Sequence, residues 1–357
     1  MKITNPFDPR KILFHKETIN AIKQGLIPYP VTLEVDLVDG FCNNNCYYCC
    51  FKCSSINKII LQNDRILLKK LKNCYKQGTK AVELVGGSEP TLHPELLTIS
   101  KSIIDMGYDI GIVTNGVLIH RIQSIAKYFN FIRISLDSGN EKVYRKTHRS
   151  NAYMTVIRNI DGLISYGVNP NKIGLSYLCL PENSHYKDIK EFVKLAISLC
   201  VGYVVFRPAV LHKYCNESIG NTLISIRRLK REYSKKIRIF YSYKNRWLRA
   251  SNQMSKSGEC KMSLLTGIIQ ADGRVPFCNL YRKVKNYNLG NVYKKDFGKI
   301  WLGQKHKKLL TDMRREHCSK FCKADDYWDI NTTKRRNTLK SRKIQFSNFS
   351  KAHRNFL

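Results

Sequence analysis

Between residues 31 and 207, short apolar runs alternate with segments of helical spacing. Val31-Thr-Leu-Glu-Val-Asp-Leu-Val38 alternates apolar and polar positions and predicts a first strand, followed by a cysteine-rich loop. Helical spacing over 66–75 leads to a second strand at 81–85, which runs into Gly86-Gly87. A helix over 94–106 precedes a third strand at 109–114, and a helix over 118–128 precedes a fourth at 131–136. Helix 153–166 ends near Gly167 before a strand at 173–180; helix 185–199 precedes a strand at 203–207, stopped by Pro208. Six βα units in succession predict a parallel sheet with helices outside, doubly wound or barrel-like. In both architectures chemistry gathers at the C-terminal ends of the strands. Those ends carry the cysteines, Gly-Gly-Ser-Glu-Pro, Thr-Asn-Gly, Ser-Leu-Asp, Cys179 and Arg207.

The remainder divides by pattern. Residues 1–30 form an N-terminal extension before a core at 31–215. Residues 216–257 are basic and irregular apart from helical spacing around 223–233, and read as a connector. A smaller domain is expected over 258–328. In it, 266–270 and 275–278 form a hairpin about Asp272-Gly273, and 297–313 is helical. Residues 329–357 form a basic tail; from Asn331 on it lacks an amphipathic period and predicts a disordered or loosely docked arm.

The chain has 357 residues, 43% hydrophobic and 11% aromatic, which suffices for a core and excludes wholesale disorder. No run of 18 apolar residues exists, so no membrane-spanning helix is expected. Met1 to Lys16 has no apolar segment of signal-peptide type, and a cytoplasmic protein is expected. The formal charge of +35 would attract a polyanion such as RNA. Ten Lys/Arg crowd 227–249 and eight occupy 331–357. A chain rich in Lys, Asn, Ile and Tyr throughout explains the surplus equally well. Charge governs solubility and encounter, not fold or reaction.

Thirteen cysteines change the picture. In a reducing compartment clustered cysteines are metal ligands or catalytic groups. Five lie between Cys42 and Cys53, and Cys260, Cys278, Cys318 and Cys322 sit in the last third, suggesting two metal centres. Cys42, Cys46 and Cys49, spaced C-x3-C-x2-C after the first strand, can hold three irons of a 4Fe–4S cube and leave the fourth open. Cys46, Cys49, Cys50 and Cys53 as a four-thiolate zinc site is the alternative, with ligand pairs spaced poorly for that geometry. Cys74 and Cys200 fall on helical faces and are expected in the core.

This spacing, with Tyr48 before the third cysteine, resembles the signature of the radical S-adenosylmethionine (SAM) enzymes. Gly86-Gly87-Ser88-Glu89-Pro90 resembles that family's Gly-Gly-Glu-Pro motif, which binds the SAM amino group: glycines admit close backbone approach and a carboxylate pairs with an ammonium. Ser135-Leu-Asp137 falls where the family binds the SAM ribose and carboxylate, with Arg149, or less favourably Arg145, as the cation for the latter. The resemblance spans 31–207. It implies a partial (β/α)6 TIM-like barrel, a SAM-binding 4Fe–4S cluster, SAM cleavage to a 5′-deoxyadenosyl radical that abstracts a hydrogen atom, and an electron donor such as flavodoxin or ferredoxin.

Cys260-x12-Gly273-x4-Cys278 with Cys318-x3-Cys322, and the intervening Leu289-Gly-Asn-Val292 and Phe297-Gly-Lys-Ile-Trp301, resemble the auxiliary-cluster region of the SPASM/Twitch branch. Four thiolates saturate a second 4Fe–4S cluster and no cysteine follows Cys322, so the resemblance implies a small C-terminal domain of the truncated, Twitch-like form with one auxiliary cluster, not the full SPASM form with two; a structural zinc is the alternative. The resemblance implies oxidation or epimerisation of a small hydroxylated (sugar- or aminocyclitol-like) or peptidic substrate. Cys179 and Cys215 are candidate hydrogen donors, although Cys179 reads equally as a small core residue. Only thirty residues precede the first strand, too few for a peptide-recognition domain. An RNA- or nucleotide-modifying enzyme is the rival class, and a zinc-stabilised basic binding protein the third.

Overall fold

Eight strands, all parallel, form the central sheet of the computed structural model, which describes residues 2–51, 58–209, 219–241, 262–313 and 345–357. We number them β1 (Thr32–Val35), β2 (Ala81–Leu84), β3 (Asp109–Thr114), β4 (Phe131–Ser135), β5 (Ile173–Cys179), β6 (Tyr203–Pro208), β7 (Arg238–Tyr241) and β8 (Thr266–Ile269). Their spatial order is β7-β6-β5-β4-β3-β2-β1-β8, so β7 and β8 are the edges of an open, partial barrel. Right-handed parallel crossovers need helices, which explains the long α segments between consecutive strands. The helices are α1 (Asp64–Lys76), α2 (Leu96–Asp105), α3 (Glu141–His148), α4 (Tyr153–Ser165), α5 (Tyr186–Ser198) and α6 (Ile219–Glu232), with a 3₁₀ segment, Ile119–Tyr128, between β3 and β4.

The two faces of the sheet differ in chemistry because strand side chains alternate. Register partners Leu33–Val82–Ile110 and Ile134–Leu175–Val204 face the helices and join one continuous core. The same core takes one face of each helix, for example Leu67, Leu71 and Cys74 of α1, whose start is capped by Asn63 accepting from Ile66 N at 3.0 Å. The opposite, lumenal face is mixed: Glu34 pairs in register with Glu83, Arg133 with Val113 and Gly174, and Ser135 with Ser176. A Cβ on Gly174 would stand 2.0 Å from the Tyr203 ring, so this glycine lets an aromatic side chain lie across the lumen.

The tail corrects the expectation of a loose arm. Gln345–Phe346 pairs in parallel with Lys2–Ile3, and the residues after it close the N-terminal end of the lumen. Phe349 packs on Tyr203 and Phe240, His353 stacks on Phe131 at 5.1 Å, and Phe356 meets Phe131 edge-on at 4.9 Å. Thr32 Oγ1 donates to Asn355 O at 2.6 Å and accepts from Leu357 N at 3.0 Å. Lys11 Nζ donates to the carbonyls of Pro6, His353 and Phe356. A composition rich in lysine hides three aromatic anchors whose partners lie far back in the chain.

Three other expectations change. The connector holds the expected helix as α6 but also contributes β7 to the sheet. The expected hairpin is split: β8 pairs in parallel with β1, while β9 (Arg274–Pro276) pairs antiparallel with β10 (Asn288–Asn291). Cys74 is buried as expected, but Cys200 is exposed, because it takes a left-handed backbone (φ 54) just after α5 ends. No helix among the described residues is long and apolar enough to cross a membrane.

Candidate active site

Beyond β1 the chain lays its cysteine loop over the C-terminal ends of the strands. Its backbone is tied to the end of α3: Asn45 N donates to His148 O at 3.0 Å and Tyr47 N to Thr147 O at 3.4 Å. Cys42, Cys46 and Cys49 are half-buried and Cys50 is exposed. Burial pushes the Cys42 thiol up to about 11 and the Cys46 thiol higher, and the neighbouring thiols add to both. Thiols of this kind give up their protons to a metal, so loading the loop releases protons. Among the described residues no three His, Cys, Asp or Glu side chains converge on one ion position. An iron–sulfur cube instead takes its thiolates one per iron.

Two side chains join this loop to the other strand-end motifs. Asn115, just past β3, donates from its backbone N to Glu89 Oε2 (2.7 Å) and from Nδ2 to Asn43 Oδ1 (2.6 Å), with Cys42 Sγ at 3.8 Å. His148, on the buried face of α3, has Nδ1 3.2 Å from Cys46 Sγ, and Nε2 3.1 Å from Leu136 O and 3.3 Å from Tyr48 OH. Burial lowers its pKa, against the pull of nearby Asp137, and holds the ring neutral. Tyr144 stacks on it at 4.3 Å and accepts from Asn44 Nδ2 at 3.1 Å.

Gly86 (φ 82) and Gly87 (φ 60) both use left-handed backbone, and a Cβ on Gly87 would meet Val38 O at 2.7 Å. Glu89 is buried, and its carboxylate accepts from Thr91 N (3.0 Å), Thr91 Oγ1 (2.6 Å), Thr114 Oγ1 (2.6 Å) and Asn115 N. Burial raises its pKa while these donors oppose the rise. Three donors fall on Oε1 and one on Oε2, which leaves Oε2 room for a ligand cation. Around this turn Ser88 Oγ and Asp36 Oδ1 are buried without a hydrogen-bond partner. A cradle without side chains, lined by orphaned acceptors, fits a polar ligand bearing an ammonium group.

Asp137 also sits in left-handed backbone (φ 52), accepting from Tyr48 OH and Leu178 N, both at 2.6 Å. Tyr48 is thereby held against the fourth strand end. Ser135 is half-buried on the lumenal face beside Ser176, which accepts from Arg207 Nη2 at 2.6 Å. Arg149 ends α3 at the exposed rim, its guanidinium 5.9 Å from the Tyr47 ring, and Arg145 pairs with Glu141 at 2.9 Å. Cys179 shares the helix-side core with Leu175 and Tyr177, and burial pushes its thiol far up. Cys278 is half-buried, whereas Cys53, Cys215, Cys260, Cys318 and Cys322 lie outside the described residues.

Sequence reasoning missed Asn115, His148 and Arg282. Asn115 stood in the Thr-Asn-Gly strand end, and His148 lies four residues after Tyr144 on one helix face, so both had a signal of place but none of role. Arg282 had none. It lies buried against Glu34 and Asp36, 3.0 and 2.5 Å away.

A model of the radical SAM superfamily matches residues 38–196, which hold the cysteine loop, the Gly-Gly-Ser-Glu-Pro turn and the Ser-Leu-Asp strand end. Residues 38–196 form a radical SAM domain. A SPASM iron-sulfur cluster-binding domain matches residues 260–324. This radical SAM protein is 28% identical over 168 residues to a probable GTP 3′,8-cyclase of Saccharolobus islandicus (strain M.14.25 / Kamchatka #1), covering 46% of this chain and 52% of that one. It thus spans about half the length of the first such relatives. A probable GTP 3′,8-cyclase of Sulfurisphaera tokodaii is 27% identical over 273 residues, 72% of this chain and 83% of the relative. The fold is that of Streptococcus suis SuiB bound to S-adenosylmethionine (TM-score 0.67, 14% identity, 94% of this chain and 78% of that one). It is likewise that of anSMEcpe with bound AdoMet (TM-score 0.61, 14% identity, 85% and 96%). The cofactors of this radical SAM enzyme are SAM and 4Fe–4S clusters, with an auxiliary cluster in the SPASM domain.

Proposed function

We propose that this radical SAM enzyme generates a 5′-deoxyadenosyl radical over the strand ends and abstracts a hydrogen atom from a small hydroxylated or peptidic substrate held in the lumen, giving oxidation or epimerisation. The observation that carries the reading is the convergence of the cysteine loop, Glu89 and Asp137 through Asn115 and His148. Cys42, Cys46 and Cys49 would hold the SAM-binding cluster, and Cys278 with Cys260, Cys318 and Cys322 the auxiliary one. When bound, the first cluster supplies the electron that cleaves the SAM sulfonium.

The chain's own residues do the rest. Gly86 and Gly87 offer backbone without Cβ obstruction, and Ser88 and Glu89 offer acceptors to the SAM amino group. His148 and Tyr48 orient Cys46 by hydrogen bonding, as partners of metal ligands do. Ser135, Ser176 and Arg207 present donors and acceptors along the lumen, suited to hydroxyl groups and an anionic group. Of the two candidate hydrogen donors, Cys179 points to the helix side, so Cys215 is the one carried forward. The oxygen sensitivity of such clusters and the free thiols fit a reducing cytoplasm and a flavodoxin- or ferredoxin-type donor.

A second reading, a nucleotide substrate, is favoured by the name of the Sulfurisphaera tokodaii relative, which covers 72% of the chain. The test begins with iron. Full-length protein made anaerobically is expected to hold about eight irons from two cubes. Cys42→Ala, Cys46→Ala and Cys49→Ala together should leave about half of it and abolish 5′-deoxyadenosine formation; cleavage by that variant overturns the proposal. GTP binding by equilibrium dialysis, set against hydroxylated sugars and peptides, then separates the substrate classes. Turnover in deuterated water separates the outcomes: solvent deuterium at an inverted carbon marks epimerisation, and an oxidised product without it marks oxidation.

A further inference from the structure

Arg282 is a lumenal arginine brought in from the SPASM region. It follows Cys278 through a short 3₁₀ turn, Asn279–Tyr281, and is almost wholly buried inside the sheet. Its Nη2 lies 3.0 Å from Glu34 Oε2 and its Nη1 2.5 Å from Asp36 Oδ2. Its Nε donates to Asn279 Oδ1 at 2.5 Å, and Asn279 Nδ2 donates to Glu34 Oε2 at 3.0 Å. The fork is therefore closed on both sides by groups separated from it by some 250 positions of chain or by one helical turn.

The same guanidinium reaches two parts of the SAM site. A Cβ placed on Gly86 would stand 3.0 Å from Arg282 Nη2 and 2.7 Å from Asp36 Oδ1, so the Gly86-Gly87 turn rests directly on this ion cluster. The ring of Phe51, at the end of the cysteine loop, lies 5.5 Å from Arg282, and Lys283 Nζ donates to Phe51 O. Two carboxylates share one guanidinium, and Asp36 Oδ1 has no partner of its own.

A buried ion cluster of this kind is poor value as a source of stability, since desolvation offsets most of the attraction. What it does confer is a single geometry, because the planar fork accepts its partners in one arrangement only. We propose that Arg282 is a positioning residue: it fixes the auxiliary-cluster loop carrying Cys278 against β1 and the Gly86-Gly87 turn, and so sets the placement of the auxiliary cluster relative to the SAM site. This rests on the reading above that Cys278 ligates the auxiliary cluster.

Electron paramagnetic resonance of the dithionite-reduced, anaerobically reconstituted full chain tests it. The Cys42→Ala/Cys46→Ala/Cys49→Ala background isolates the auxiliary signal. In that background Arg282→Lys, which keeps the charge but loses the fork, is expected to shift the g-values and midpoint potential of the signal and to lower its spin count. In the chain with all its cysteines, the cluster whose signal changes on adding SAM should keep its iron in Arg282→Lys. Glu34→Gln, which leaves Arg282 in place with half of its anchor, serves as a second variant should Arg282→Lys fold poorly, and should shift the auxiliary signal in the same sense. An unchanged auxiliary signal and potential in both variants overturns the proposal. Parallel loss of both clusters also overturns it, by marking Arg282 as a general stabilising residue. If the triple-cysteine background holds no cluster even with Arg282 intact, the assignment of Cys278 fails first, and the positioning role falls with it.

Discussion

Phe356→Ala measures what the C-terminal segment does for the sheet. Phe356 is 7% exposed, with its ring against Phe131 and beside Ala81 on the lumenal face. An aromatic side chain buries roughly 150–250 Å², and about 25 cal/mol per Å² gives some 4–6 kcal/mol as an upper bound. Truncations of buried Phe cost about 3–5 kcal/mol. The segment lies near the molecular surface and can settle into part of the cavity, so the lower end, about 3 kcal/mol, is expected. In a chain of 357 residues that lowers the melting temperature by roughly 4 °C. Scanning fluorimetry under anaerobic conditions, at equal iron content, reads the shift. Leu26→Ala is the control, since Leu26 is 58% exposed and should move the midpoint little. Hydrogen exchange should show the amides of β1, β2 and β4 opening first in Phe356→Ala. A midpoint within about 2 °C of the control, with exchange unchanged there, would refute the view that this segment seals the sheet.

Three further outcomes follow from the same geometry. His15, His306 and His353 are held neutral by burial at about 4, 4 and 3 against 6.5 when exposed. The unfolded chain therefore binds more protons between those values, so stability is full above about pH 6.5 and falls as pH drops, by up to about 1.4 kcal/mol per unit for each ring. His353→Gln should flatten that slope in melts between pH 7.5 and 5.5, and an equal slope in variant and parent would count against it. Asn115→Ala keeps the backbone donor to Glu89 but removes the side-chain link to Asn43 and Cys42, and should weaken SAM binding by about fivefold, the worth of a neutral hydrogen bond, in equilibrium dialysis. Gly87→Ala puts a Cβ 2.7 Å from Val38 O in left-handed backbone, and should abolish measurable SAM binding while iron content stays near that of the parent. Retained binding would show that the turn can move aside.

Much of this protein is determined by local sequence. The third strand lies where the pattern places it, the first ends early at Val35, and the chain order of the six core strands is also their order in space. Strands buried on both faces write themselves as apolar runs, and the crossover helices as 3.6-residue periods, so neighbouring residues suffice. The chemistry of the cysteine loop and of Gly86-Gly87-Ser88-Glu89 is legible for a similar reason, since each motif is contiguous. Tertiary structure decided the rest. β7 lies in the stretch that reads as a connector and β8 in an expected hairpin arm; both join the sheet because its edge strands had unpaired backbone to offer, which local sequence does not mark. Cys200 left the core through a single left-handed residue. The C-terminal aromatics became a seal only where Phe131, Tyr203 and Phe240 were brought together to receive them. Asn115, His148 and Arg282 acquire their roles from partners tens to hundreds of residues away, and a polar side chain in sequence carries no mark of the carboxylate or thiol it will meet once the strands have closed around it.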